Sequence, residues 1–316
     1  MIEVNNFSKK YGNKYAVKDL TFTIEDGYVY GLLGPNGAGK STTMNAITGY
    51  IAATEGSITI NGIDILKKPV EAKKHIGYLP EIPPLYPDMT VKEYLNFVSE
   101  LKKVNKKDKK EQLDKIMEKV MISEVSGRLI RNLSKGYKQR VGLAAALVGY
   151  PDVIILDEPT VGLDPKQITE IRELIKELSK DHTIILSSHI LSEVQAICDK
   201  ILIISEGKLV AMDTPESLES QKSGEAETQA LVKGNKDLVS NILSSIEGIK
   251  EFSVTDDDEG LVCCRIVTDK DVEIRDVLSI ELGKSNLPLF ELKASKKSLE
   301  DVFLELTEGN ENDSNI

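Results

Sequence analysis

This 316-residue chain has no apolar run near the roughly 20 residues that a membrane-spanning helix needs. Its start, Met1-Ile2-Glu3-Val4-Asn5, lacks the basic and apolar stretches of a signal peptide. A cytosolic placement is therefore the expectation, and any membrane role calls for a separate partner chain. Cationic excess is missing too. With 51 acids against 40 lysines and arginines the net charge is −11, which argues against non-specific binding to nucleic acid. Three cysteines make no disulfide framework, and none has a further His or Cys at metal-ligand spacing. Cys198 follows Ile197 in a helical pattern, while Cys263 and Cys264 lie in an apolar, strand-like run, so all three are expected in the core. What remains, 41% hydrophobic and 29% charged, is ordinary for a soluble globular protein of about two domains.

The chain is organised around Gly34-Pro35-Asn36-Gly37-Ala38-Gly39-Lys40-Ser41-Thr42, two glycines framing four residues and then Lys and Ser. This is the phosphate-loop pattern. Glycine reaches backbone angles closed to other residues and keeps Cβ out of the way. The loop's N–H groups then turn inward around phosphate oxygens, and the following helix adds its positive end. Lys40 is placed to reach the terminal phosphates and Ser41 to face Mg²⁺. A buried strand is expected over residues 28–33 and a helix over 41–50, with Met44 and Ile47 on one face. A glycine-rich turn with a chance Lys-Ser is the competing explanation, and the strand–loop–helix context disfavours it. The pattern predicts a nucleoside triphosphate site.

Short alternating runs before residue 30, and residues 56–62 closed by Asn61-Gly62, suggest an antiparallel sheet beside the loop. From Val91 the spacing of Val91, Tyr94, Leu95 and Val98 is helical, continuing over 113–121; the lysine run 102–110 reads as a solvated face rather than a membrane contact. Apolar runs at 153–156, 183–186 and 200–204 read as buried strands, and residues 168–178 as an amphipathic helix between them. That alternation indicates an α/β fold with a mostly parallel sheet. Residues 220–227 read as a linker after a domain spanning 1–219. Beyond it, strand, helix, strand, strand, helix, strand over 228–292 match a ferredoxin-like α+β unit within 228–307. A helix over 299–306 precedes a polar tail, 308–316, expected to be disordered. Asp256-Asp257-Asp258-Glu259 lacks the ligand pattern of a calcium loop and reads as an acidic turn.

Leu156-Asp157-Glu158-Pro159 sets two acids at the C-terminal edge of a strand, where parallel sheets bind ligands. Asp157 is positioned to hold Mg²⁺ through water, and Glu158 to accept a proton from an attacking water. A surface acid pair without a role is the alternative. Between loop and acids lies Leu133-Ser134-Lys135-Gly136-Tyr137-Lys138-Gln139-Arg140. With these motifs in this order, residues 1–215 resemble the ATP-binding subunit of an ABC transporter, whose signature reads Leu-Ser-Gly-Gly-Gln at this place. Ser134 and Gly136 match it; Lys135 and Tyr137 depart from it.

The resemblance implies a RecA-like parallel core with an antiparallel β subdomain and a helical subdomain. It implies that Tyr11 stacks on adenine, that Glu158 is the catalytic glutamate, and that Val161-Gly162-Leu163-Asp164 touches the opposite subunit. His189 matches the switch histidine on the γ-phosphate, against the commoner fate of a lone His as a satisfied core residue. Glu81, after Gly77-Tyr78-Leu79-Pro80, stands where the family has Gln, so a metal ligand, a sensor and a plain loop residue all stay open. The loop 82–87 would face the membrane subunit. The Glu81 and signature variants, with the ending Ser298-Leu299-Glu300-Asp301-Val302-Phe303-Leu304, resemble subunits serving separate exporter-type permeases, some related to gliding-motility transporters. The implied partners are a second ATPase subunit, identical or paired, and an integral permease holding the chain at the inner face of the membrane. Each ATP would lie between Lys40, Ser41 and Asp157 of one subunit and Ser134 and Gly136 of the other. A non-transport ABC ATPase acting on DNA or ribosomes is the main alternative, disfavoured by a single cassette without a coiled-coil insertion. A phosphate-loop kinase is disfavoured by residues 134–140 and His189.

Overall fold

In the computed structural model, residues 1–221, 225–256, 261–269, 272–295 and 298–308 are described. In chain order the elements begin with β1 (Ile2–Tyr11), β2 (Lys14–Ile24), β3 (Val29–Leu33), α1 (Lys40–Ile47), β4 (Glu55–Ile60), β5 (Ile63–Asp64), α2 (Pro69–Ala72) and β6 (Ile76–Leu79). Three helices follow, α3 (Val91–Leu101), α4 (Lys109–Lys119) and α5 (Lys135–Leu147). Strand and helix then alternate through β7 (Val153–Asp157), α6 (Pro165–Leu178), β8 (Thr183–Ser187), α7 (Leu191–Ile197), β9 (Lys200–Ser205) and β10 (Lys208–Asp213). The rest comprises α8 (Pro215–Gln221), β11 (Glu225–Val232), α9 (Lys236–Ser245), β12 (Ile249–Asp256), β13 (Val262–Asp269), α10 (Arg275–Lys284), β14 (Leu289–Ser295) and α11 (Leu299–Glu308).

The chain divides into two compact units between Pro215 and Glu216. In the first, a six-stranded sheet runs β10-β9-β3-β8-β7-β6, parallel except for β10. Strands β7 and β8 are rich in isoleucine and buried along nearly all of their length, as strands covered on both faces must be. A second sheet, β2-β1-β4-β5, is antiparallel throughout. Ile2, Phe22 and Ile60 from this sheet share one apolar core with Tyr30, Ile155, Ile185 and Leu202 of the other. Burying this shared apolar surface is what joins the two sheets. The helical region opens with α3, whose N-terminus carries a reciprocal capping box between Thr90 and Glu93.

In the second unit the sheet order is β12-β13-β11-β14, antiparallel throughout, with one helix after its first strand and one after its third. Val239, Leu243, Leu278 and Leu282 from the helices pack on Val232, Cys264 and Ile266 of the sheet. This is the ferredoxin-like arrangement.

Several elements differ from the sequence-based expectation. The helix after the phosphate loop ends at Ile47 rather than Tyr50, because Gly49 takes φ +66°. Ordered elements reach Gln221 and begin again at Glu225, inside the expected linker; residues 222–224 lie outside the described residues. So do residues 309–316 of the expected tail and Asp257, Asp258 and Glu259 of the expected acidic turn, whereas Glu308 closes α11. Lys102 leaves the solvated lysine face: its ammonium donates to Ala146 O and Val148 O at 3.1 and 2.8 Å, at the end of α5, and burial lowers its pKa to about 8. Cys198 and Cys264 are buried, but Cys263 is exposed, correcting the expectation of three core thiols. Adjacent strand residues point to opposite faces, so only one of the pair can enter the core.

Burial raises the Cys198 and Cys264 thiols, the latter to about 11. We therefore expect Ellman's reagent at pH 8 to titrate Cys263 alone in the native chain and all three thiols after denaturation. Fast native labelling of Cys264 would contradict this alternation.

Candidate functional site

Residues 34–42 bridge the end of β3 and the start of α1. A Cβ on Gly34 would lie 2.2 Å from Ile204 O, and Gly39, the N-cap of α1, takes φ +107°, so neither position admits another residue without strain. Pro35, Asn36 and Gly37 are exposed, whereas Ala38 is buried, its carbonyl accepting from Gly207 N–H at 2.9 Å. The Lys40 ammonium folds back on the loop and donates to Gly34 O at 2.6 Å and Pro35 O at 3.2 Å. Its pKa is lowered, with burial the main cause and the carboxylates of Glu158 and Asp157 opposing it. Ser41 is exposed and Thr42 half-buried in the first helical turn, where backbone N–H groups have no partner within the helix.

Asp157 closes β7 and is paired in register with Ser187 at the end of β8. The Ser187 hydroxyl donates to Asp157 Oδ1 at 2.6 Å and accepts from the Glu158 N–H at 3.1 Å. Glu158 itself takes φ +47°, a left-handed conformation rare outside glycine. That turn aims its mostly buried carboxylate at His189, two residues beyond Ser187, with Oε2 2.9 Å from Nδ1. Burial raises the Glu158 pKa, with His189 and Lys40 opposing. The edge of the sheet thus gathers Lys40, Asp157, Glu158 and His189.

Ser134 and Asp164 do not join that group through any side-chain hydrogen bond or ion pair among the described residues. Each is a helix N-cap. Ser134 accepts from Tyr137 N–H at the start of α5, and Asp164 Oδ1 accepts from Gln167 N–H at 2.9 Å at the start of α6. Gly136 is buried against the Gln167 side chain, which a Cβ there would displace, and with Ser134 it lines a cleft of about 530 Å³ that includes no phosphate-loop residue. The buried Gln139 amide donates to Pro159 O at 3.0 Å, tying α5 to the turn after Glu158. Tyr137, at one of the departures from the family signature, bonds through its hydroxyl to Glu124. Tyr11 is exposed at the end of β1, with the Lys9 ammonium 5.3 Å from its ring centroid. Glu81 is exposed two residues beyond the end of β6, with no side-chain bond among the described residues.

Residues 17–161 match the family model described as "ABC transporter". The chain is 33% identical over 308 residues to the linearmycin resistance ATP-binding protein LnrL of Bacillus subtilis, covering 97% of this chain and 98% of that one. The chain belongs to the ATP-binding subunits of ABC transporters. Bacitracin transport ATP-binding protein BcrA of Bacillus licheniformis is 35% identical over 312 residues, covering 98% of each. Among solved structures, an ATP-binding subunit of an ABC transporter matches with a TM-score of 0.65 and 31% identity, over 70% of this chain and 92% of that one. A dimeric bacterial ABC transporter cassette, MJ0796, matches with a TM-score of 0.62 and 25% identity, over 68% and 98%. The activity that goes with membership is ATP hydrolysis.

Sequence reasoning missed one buried acid of this ABC subunit. Glu193 on α7 is 3% exposed and bonds to Thr160 and Ser188, the residues just beyond Glu158 and just before His189. Its signal was faint: an acid beside Val194 in a short helix, four residues after His189.

The raised Glu158 pKa has a testable sign. Below the usual carboxylate range both folded and unfolded chains hold the proton, and the site costs no stability. As pH climbs past that range the unfolded chain ionises first, and stability falls until the folded carboxyl ionises. Glu158→Gln, always neutral, should match the wild type in thermal unfolding at acid pH and exceed it near neutrality. A constant difference across pH would contradict the shift.

Proposed function

We propose that this ABC subunit pairs head to tail with a second cassette around two ATP molecules and drives a separate export permease. The observation that carries the reading is the Glu158–His189 contact at the sheet edge beside Lys40. Residues 34–42 would hold the phosphates through loop N–H groups and Lys40, and Tyr11 would stack on the adenine. The oxygens of Ser41 and Asp157 suit Mg²⁺, a hard cation that takes few protein ligands and keeps water and phosphate oxygens. Bound there, it would neutralise phosphate charge. Glu81 is the candidate for a further carboxylate near that ion.

Glu158 would take the proton of the water attacking the γ-phosphorus, as the bond to the ADP oxygen breaks. A carboxylate whose pKa is raised is a better base for this than an ordinary one. His189 steers that carboxylate through Nδ1, which leaves Nε2 for the γ-phosphate. Ser134, Gly136 and Asp164 would complete the site from the partner subunit. ATP then favours the closed pair because only the closed pair adds those donors. The dimeric MJ0796 cassette and the linearmycin resistance protein LnrL support pairing and export. A cytosolic face is consistent with there being, among the described residues, no helix long and apolar enough to cross a membrane. The loop 82–87 is the candidate contact with the permease.

Glu158→Gln should retain ATP binding, slow hydrolysis by about 10²–10⁴, and accumulate as a dimer with Mg·ATP. Steady-state turnover and light scattering check this. Near-normal turnover, or a variant that stays monomeric at saturating Mg·ATP, would overturn the reading.

A further inference from the structure

Glu193 is a carboxylate held almost wholly out of water, which is costly unless every oxygen finds a partner. Its partners are specific. Oε2 accepts from the Thr160 hydroxyl at 2.6 Å and from the Ser188 hydroxyl at 3.2 Å, both of them buried. Oε1 lies 3.5 Å from the Arg172 guanidinium on α6. The Arg172 Nε is itself buried with no hydrogen bond among the described residues, and Glu193 is the acid within ion-pair distance of this guanidinium.

Thr160 and Ser188 are not arbitrary anchors. Thr160 stands in the turn where Val161 N–H donates to Glu158 O at 3.2 Å, and its own carbonyl accepts from Leu163 N–H at 3.2 Å. It therefore pins the chain between Glu158 and the helix cap Asp164. Ser188 directly precedes His189, and its oxygen also accepts from Ile190 N–H at 3.1 Å, so it holds the backbone on either side of that histidine. One carboxylate oxygen thus fixes, from behind, the two segments that present Glu158 and His189 to each other.

We propose that Glu193 is a positioning residue for ATP hydrolysis, coupling the turn at residues 160–163 to the segment carrying His189. It touches neither of the two reacting groups. Movement of the turn, which by the proposed function meets the partner cassette, would be passed through the Thr160 and Ser188 hydroxyls to His189. The inference rests on that proposed role of the Glu158–His189 pair, and the experiment separates the two.

The test is a double-mutant cycle of Glu193→Ala with His189→Ala in the full chain, read as kcat, KM for ATP and thermal unfolding. Such cycles expose coupling because residues acting through one another fail to add. Glu193→Ala should lower kcat about tenfold or more, the order of a positioning contact, and leave KM within about threefold. Added to His189→Ala, it should cost less than about twofold more. Glu193→Gln, which keeps an oxygen for the two hydroxyls, should recover part of the loss. Should Glu193→Ala fail to fold, Thr160→Val and Ser188→Ala cut the same bonds one at a time and enter the same cycle. Losses in kcat that multiply with His189→Ala, or an unchanged kcat in Glu193→Ala, would overturn the inference. If His189→Ala slows turnover while Glu193→Ala does not, only the inference falls. Full turnover in Glu158→Gln removes the proposed site instead, and the inference with it.

Discussion

The pairing of Asp157 with Ser187 across β7 and β8 sets the geometry of the candidate nucleotide edge. Parallel strands held in that register end side by side, so the segments leaving them start from neighbouring points. A single hydroxyl then serves both, donating to Asp157 and accepting from the Glu158 N–H. Glu158 turns into a left-handed conformation directly afterwards, and His189 follows two residues behind Ser187. The contact between Glu158 and His189 results from register and turn, not from closeness in sequence. It sits in a setting whose burial raises the carboxyl pKa.

The signature segment and the turn after Glu158 form one packed assembly within this chain. Gln139 on α5 reaches Pro159 O, and Gly136 packs on Gln167 of α6. Arg140 of α5 pairs with Glu170 of α6, so these helices are linked by charge as well as by close approach. Ser134 and Asp164 each use a side-chain oxygen to satisfy orphan N–H groups at a helix start. A nucleotide meeting these residues would share them with the helices they cap. Tyr137 meanwhile spends its hydroxyl on Glu124, a tie to the helical region that the family's Gln, being shorter, would make differently.

Much of this was legible in the chain itself. The phosphate loop, the apolar strand before the two acids and the order of motifs announced the fold and the family, and singled out residues 34–42, 157, 158 and 189 as the candidate site. These are local patterns, because a strand buried on both faces and a glycine-framed loop each need particular residues at fixed spacing. The ferredoxin-like unit was also readable from its alternation of elements. Other features were not. Cys263 and Cys264 form one apolar run, and only the sheet's sidedness separates them. Lys102 belongs by sequence to a solvated lysine run, yet the carbonyls at the end of α5, more than 40 residues away, bury and bind it.

Residue type and spacing alone determined that this protein has a phosphate loop, two acids at a buried strand's end, and the parallel architecture that joins them. The tertiary structure decided that Ser187 bridges the acids, that Glu158 meets His189, and that Glu193 anchors both segments from behind. The physical reason is range: loops and strands are specified by neighbours in sequence, whereas the partners of a buried charge are chosen by which strands and helices come to lie side by side.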